Sequence, residues 1–146
     1  MPQQVRTRKE IATEHTWDTA SIFPTQDAWE KEFQAIGADL PSLAKHRGHL
    51  GDSPAALADW FAASEAIQFR LGKLFVYASM NQSVDANDQD AAARFDRARG
   101  LMARTGAAMS FADPEMIVLR DRAAVVIPRG QDYFVASERH RLDLAT

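Results

Sequence analysis

The sequence predicts an all-α fold: an elongated antiparallel helical hairpin, about residues 54–82 and 88–112, with a kinked N-terminal helix, about 26–46, packed at its base. Three observations predict it. Apolar side chains recur at alternating spacings of three and four over three separate stretches, which lines each set along one side of a helix. Capping residues stand where those stretches begin, at Thr25, at Ser53-Pro54 and among Asp85, Asn87 and Asp88. The two long stretches are joined by a short polar connection, which forces them to lie antiparallel.

Residues Met1 to Ala20 are polar and read as extended, and Ser21-Ile22-Phe23-Pro24 forms a short apolar plug. Thr25 is placed to cap the first helix, with Asp27 in the first turn facing the helix dipole. Trp29, Phe33, Ile36, Leu40 and Leu43 share its inner face. Pro41 removes a backbone donor and crowds the preceding turn, so a kink or break is expected between Gly37 and Pro41. Gly48 and Gly51 close this unit.

The second helix has the clearest start. Ser53 caps it, and Pro54 takes the first helical position, where a missing N–H leaves nothing unpaired. Its inner face is Leu57, Trp60, Ser64, Ile67, Leu71, Leu74 and Ala78, flanked by Phe61, Gln68 and Phe75. Gly72 in its interior costs about 1 kcal/mol relative to alanine. After the Ser83–Asp88 connection, the third helix presents Ala91, Phe95, Ala98, Met102, Thr105, Met109, Ala112 and Met116 on one side. Ala91, Ala92, Ala93, Ala98, Ala107 and Ala108 would let a neighbouring helix approach closely. Asp113-Pro114 is expected to end or kink this helix, and Pro114 to start a short fourth one.

Residues 1–119 therefore form a helical domain and 120–146 a divergent tail whose order the sequence leaves open. In the tail Ala123-Ala124-Val125-Val126-Ile127 is a β-prone apolar run, Pro128-Arg129-Gly130 a turn, and Tyr133-Phe134-Val135 β-prone again. No internal repeat or low-complexity tract is present.

Composition excludes several classes of function. The 146 residues suit one domain, and 46% hydrophobic with 25% charged residues suits a packed core. There is no cysteine, hence no disulfide framework, thiolate metal site or cysteine nucleophile. The net charge of -3 and the single short basic run Arg6-Thr7-Arg8-Lys9 give no electrostatic footprint for nucleic acid. No apolar run near the start resembles a signal peptide, and none approaches the ~20 residues of a membrane span. A soluble cytoplasmic protein with neither a nucleic-acid nor a membrane partner is expected.

No catalytic constellation can be assembled from these residues. His46 and His49 are three apart, whereas a zinc-peptidase helix needs two histidines four apart and a glutamate beside the first as general base. With Gly48 between them, a surface turn fits better than a metal site. Ser79, Ser83 and Ser110 have no histidine placed to activate them. Asp85, Asp88 and Asp90 look like half a calcium loop but lack its glycine and closing glutamate, so capping explains them better. The Met102, Met109 and Met116 stripe can be an adaptable binding surface, and is more simply core. The sequence therefore assigns no catalytic, cofactor-binding or metal residue.

The order of segments carries a resemblance. Trp17-Asp18 followed by Ile22-Phe23-Pro24-Thr25 and Trp29, then His46-Arg47-Gly48-His49-Leu50-Gly51-Asp52-Ser53, then Arg70-Leu71-Gly72-Lys73-Leu74-Phe75-Val76-Tyr77-Ala78-Ser79-Met80, and finally Asp96-Arg97-Ala98-Arg99-Gly100-Leu101 through Ala107-Ala108-Met109-Ser110-Phe111, resemble the N-terminal region of oligoendopeptidase F-type zinc metallopeptidases over about residues 8–119. The sequence departs from the pattern at Asp18-Thr19, where an apolar residue usually follows the aspartate, and again after Leu119. A frameshift, a truncated gene or a deliberate fragment would each produce the second departure.

The resemblance implies a mostly helical, cleft-shaped cytosolic zinc peptidase that cuts short peptides. The His-Glu-x-x-His helix and downstream glutamate of that family lie beyond the matched region, so none of its catalytic or metal residues maps onto this sequence. Zinc belongs to the full-length parent, and no cofactor is expected in this chain. What the resemblance implies here is a noncatalytic part of the wall or lid over the peptide cleft. Its partner would be the catalytic domain, with oligopeptides met only in the full-length context. A free-standing helical interaction module, with self-association, is the alternative.

Overall fold

The computed structural model describes residues 10–85 and 87–126. Four α-helices occur among them: α1 Gln26–Asp39, α2 Pro54–Val84, α3 Gln89–Met109 and α4 Ala112–Val126, with a 3-10 segment Leu40–His46 after α1. No strand occurs among the described residues. At 1.5 Å per residue α2 is about 46 Å long and α3 about 31 Å. These two make the hairpin, and α1 with the 3-10 segment runs along it, from the first turns of α3, where Asp27 and Glu30 lie beside Asp90 and Arg97, to the start of α2, where His46 meets Trp60.

The caps stand where the sequence places them. Thr25 Oγ1 accepts from the Ala28 N–H at 3.1 Å, Ser53 Oγ from Ala56 at 3.0 Å, and Asp88 Oδ1 from Ala91 at 2.9 Å. Each supplies one of the acceptors that the first turn of a helix lacks. Pro54 occupies the first turn of α2. After Asp39 the chain tightens into 3-10 form, because Pro41 has no N–H to give to the Gly37 carbonyl. The residues before Thr25 differ from the extended reading. Thr13–His15 and Thr19–Ser21 are 3-10 turns, and Asp18 holds the second by accepting from the Ser21 N–H at 3.2 Å. An aspartate that closes such a turn needs no apolar residue after it.

The core runs along the inner faces of three helices. Trp29, Ile36, Leu43, Leu50, Leu74 and Leu101 are its largest fully buried side chains. Phe23 of the apolar plug meets Tyr77 edge-on with ring centroids 5.5 Å apart. Trp29 ties α1 to the middle of α2, its Nε1–H donating to the Leu74 carbonyl at 3.0 Å. Arg70 clamps the same two elements from the rim, reaching Glu32 and Asp39 at 2.6 Å each. Ala91 and Ala98 are fully buried where α3 meets its neighbours, so their small size does let the backbones close up.

On α2 the buried face agrees with the expected one, with Tyr77 added and Leu57 only partly buried. On α3 it is rotated. The buried residues are Ala91, Arg94, Ala98, Leu101 and Thr105, while Met102 is 42% exposed and Phe95 and Met109 are only partly buried. Both registers contain residues 91, 98 and 105. The packing chose 94 and 101 over 95 and 102, because α1 and α2 contact α3 on that side.

Two expectations near the end of the chain are corrected. The third helix stops at Met109, before Asp113-Pro114, through a turn at Ser110-Phe111. A fourth helix does follow, with Pro114 in its first turn, but it passes the boundary drawn at 119 and continues to Val126. It includes Ala123 to Val126 of the run read as β-prone. The preference of a few β-branched residues is small beside the ease of extending a helix already begun. Two contacts seat α4 on the glycine-bearing link. The Gly48 N–H donates to Glu115 Oε1 at 2.6 Å, with Gly48 itself at φ 81°, and a Cβ on Gly51 would lie 2.5 Å from Leu119 Cδ2. Only glycine adopts the first conformation freely, and a side chain at Gly51 would require the tip of Leu119 to move aside. The Pro128–Gly130 turn, the Tyr133–Val135 run and the Arg6–Lys9 stretch lie outside the described residues, as does His140.

Candidate functional site

The residues weighed for chemistry are dispersed. His49 Nδ1 lies 2.7 Å from Asp52 Oδ2 on the surface, while His46 turns inward and meets Trp60 edge-on at 5.7 Å. They share no ligand geometry, and the link carrying them is the turn that the sequence suggests. Ser110 Oγ donates to the Ala107 carbonyl at 2.9 Å. Asp85 and Asp88 are occupied by backbone N–H groups of the connection and of α3. Among the described residues no group of three or more His, Cys, Asp or Glu side chains is placed to hold a metal ion. No described helix is long and apolar enough to cross a membrane.

What the helices do assemble is an open apolar groove of about 550 Å³ between α2, α3 and the start of α4. Phe61 forms one wall, and Met102, Met109 and Met116 form the other. Trp60 and Leu71 lie at its base as part of the core. This revises the simpler reading of the methionine stripe. Met102 is largely exposed and Met109 and Met116 are half-buried, so the stripe borders the core and faces outward. Unbranched thioether side chains adapt to whatever lies against them, which suits a contact surface better than a fixed core. Phe61 is 50% exposed beside them.

Two glycines line the same groove, Gly72 on α2 and Gly106 on α3. A Cβ at either would meet nothing within 4 Å. The packing of the described residues therefore gives no reason for glycine at either place, although each weakens its helix by about 1 kcal/mol relative to alanine. A backbone bared on both walls of one apolar groove is what close approach of a further element requires.

The opposite seam, between α1 and α3, is polar. Arg97 grips Glu30 with two hydrogen bonds of 2.8 and 2.7 Å, while its guanidinium lies 4.3 Å from the Phe33 ring centroid. The hydrogen bonds from Arg97, helped by one from Gln34, lower the Glu30 pKa from 4.5 to about 2 against a smaller opposing effect of burial. A carboxylate held low in the folded chain contributes stability above its unfolded pKa, and that contribution disappears as pH falls through the folded value. Here the window runs from about 4.5 down to about 2. Both side chains are over two-fifths exposed, so the contribution is modest. Carboxyl-carbon NMR should show Glu30 titrating near 2 in the parent chain, and shifted up toward 4.5 in Arg97→Gln, where the Gln34 hydrogen bond remains.

Sequence reasoning passed over Arg94, whose side chain is nine-tenths buried, and the pairing of Gly72 with Gly106 across the groove. For Arg94 the available signal was its place three residues after Ala91 on the buried side of α3. The glycines fall on separate helices, and nothing in one sequence pairs them.

No protein-family model matches the chain, and no solved structure matches it. Curated relatives do. The chain is 32% identical to "Oligopeptidase PepF" of Bacillus subtilis (strain 168) over 118 residues, which is 81% of this chain and 18% of that protein. It is 31% identical over 114 residues to "Oligoendopeptidase F, chromosomal" of Lactococcus lactis subsp. cremoris, covering 77% of this chain and 19% of the relative. To "Group B oligopeptidase PepB" of Streptococcus agalactiae serotype III (strain NEM316) it is 30% identical over 119 residues, 78% of this chain and 19% of the relative. The chain thus spans less than a fifth of the length of the curated relatives it matches. The helical hairpin and its N-terminal helix are, by this similarity, of oligoendopeptidase F-family origin.

Proposed function

We propose that the chain is a noncatalytic N-terminal portion of an oligopeptide-cleaving zinc metalloendopeptidase, acting in the cytoplasm. Its helices form part of the wall or lid of the peptide cleft, and zinc is held by the catalytic domain, its partner. One observation carries this reading: similarity that fills four-fifths of this chain occupies under one-fifth of each relative. The apolar groove supports it, since Phe61 and the methionines offer a surface on which a larger body can pack.

The test is hydrolysis of fluorogenic oligopeptides by the full chain, with zinc and with a chelator. No turnover is expected in either case, and turnover abolished by the chelator would overturn the reading. A second arm adds the chain to the Bacillus subtilis relative lacking its matching 118 residues. Chelator-sensitive hydrolysis is expected only in the mixture.

A second reading, a free-standing interaction module, is favoured by Phe69 and Val76. They are 70% and 46% exposed on the outer side of α2, away from the groove and the core. Sedimentation at several concentrations separates the readings. A monodisperse symmetric dimer favours the module, and open-ended association favours a portion lacking its partner surface.

A further inference from the structure

A second cleft, of about 320 Å³, lies at the amino end of α1 against the first turns of α3. Two arginines and three carboxylates line it. Arg97 and Glu30 satisfy each other. Asp27 and Asp90 sit in the first turns of α1 and α3, where the helix dipoles already favour a negative charge. Arg94 is the member left over. Its side chain is nine-tenths buried, its Nε is sealed from water and without a hydrogen-bond partner, and no ion pair reaches it among the described residues. Asp90, one turn away on the same helix, and Asp27 across the cleft both stand outside ion-pair distance of it. Leaving that N–H sealed from water without an acceptor is costly, and the two terminal nitrogens of the guanidinium have no protein partner among the described residues either, so a group that accepts hydrogen bonds and carries the opposite charge should be favoured at this place.

We infer that this cleft is a subsite for a single polypeptide carboxylate, with Arg94 as the group that binds it. The charge of the lining selects the ligand. With two arginines against three carboxylates the net charge is negative, so a dianion such as sulfate or phosphate is repelled as it approaches. A monocarboxylate pays less of that repulsion and matches the planar fork of the guanidinium with two parallel hydrogen bonds. Two sources carry this chemistry, an aspartate or glutamate side chain within a polypeptide and a free C-terminal carboxylate. The site is separate from the apolar groove and does not depend on the reading given above for the whole chain.

Arginine Nε–Hε resonances of the isotope-labelled full chain provide the test, with that of Arg94 assigned through its side-chain connectivity. Two probes distinguish the sources: N-acetyl-triglycine with a free C-terminus, and C-terminally amidated N-acetyl-Gly-Asp-Gly. Sodium sulfate is the comparison. The Arg94 resonance should shift saturably with one of the peptides and not with sulfate. In Arg94→Lys, which keeps the charge but not the fork, backbone resonances around the cleft should report binding about tenfold weaker or worse. Absence of a saturable shift with either peptide overturns the proposal, and so does an equal response to sulfate. It also fails if Asp27→Asn or Asp90→Asn displaces the Arg94 resonance in the ligand-free chain as far as a peptide does in the parent. That outcome would mean the guanidinium already has its partner within the fold.

Discussion

Trp29→Ala is expected to destabilise the chain by about 3–5 kcal/mol, enough to remove a large part of the stability of an ordinary domain. The side chain is 1% exposed and is one of the largest in the core. It stacks on Phe33 with centroids 5.3 Å apart and lies beneath the Arg97 guanidinium. Its indole N–H makes a buried hydrogen bond from α1 to the Leu74 carbonyl of α2. Truncation removes the apolar area, leaves a cavity between two helices, and deprives α1 of its anchor. Urea unfolding followed by circular dichroism measures the loss, and the thermal midpoint should fall by ~10–20 °C. Trp29→Phe keeps a ring but not the donor, and should fall between the two at about 1–3 kcal/mol. A loss below about 1 kcal/mol for Trp29→Ala would mean that α1 is not keyed to the hairpin at this point.

The second large effect separates two adjacent residues of α3. Leu101→Ala should cost about 2–5 kcal/mol, while Met102→Ala should stay within about 1 kcal/mol. Leu101 is 1% exposed between the helices, whereas Met102 is 42% exposed on the wall of the groove. Periodicity alone ranks them the other way, because Met102 continues the apolar spacing from Ala98 to Thr105. Measuring both variants by the same urea titration therefore tests the rotation of α3 directly. Equal losses, or a greater one at Met102, would show that the helix packs in the register that the apolar pattern suggests. If the groove is a contact surface for the rest of a peptidase, Met102→Ala should weaken that contact while leaving the isolated chain nearly as stable.

Much of the fold is legible because its determinants are local. A threonine, serine or aspartate that can accept from an N–H three residues on marks a helix start whatever surrounds it, and Thr25, Ser53 and Asp88 each do so. Pro41 ends the α-helical hydrogen bonding of the first helix by chemistry internal to one turn. The inner face of α2 was readable because its apolar residues leave one continuous choice. The end of α4 was less so. Local propensity favours strand at Val125 and Val126, yet the preceding turns of α4 are seated on Gly48 and Gly51, and the helix runs on from there.

The candidate sites were less legible than the helices. The methionine stripe was visible in the sequence, but a Met at helical spacing reads alike whether it faces a neighbour or a groove. Arg94 was hidden for a related reason. Its long apolar stem can lie in a helix interface while its charged head reaches the edge, so a charged letter does not mark an exposed position.

The sequence by itself determined the class of fold, the caps, the break at Pro41 and the antiparallel hairpin, since each follows from backbone hydrogen bonding and spacing within a few residues. Only the tertiary structure decided which side of α3 is buried, that Gly72 and Gly106 share one groove, and that Arg94 lies between helices without a counter-charge. The physical reason is that burial belongs to pairs of helices. A periodic pattern names the side chains that can be covered, and the neighbour's position selects which of them are.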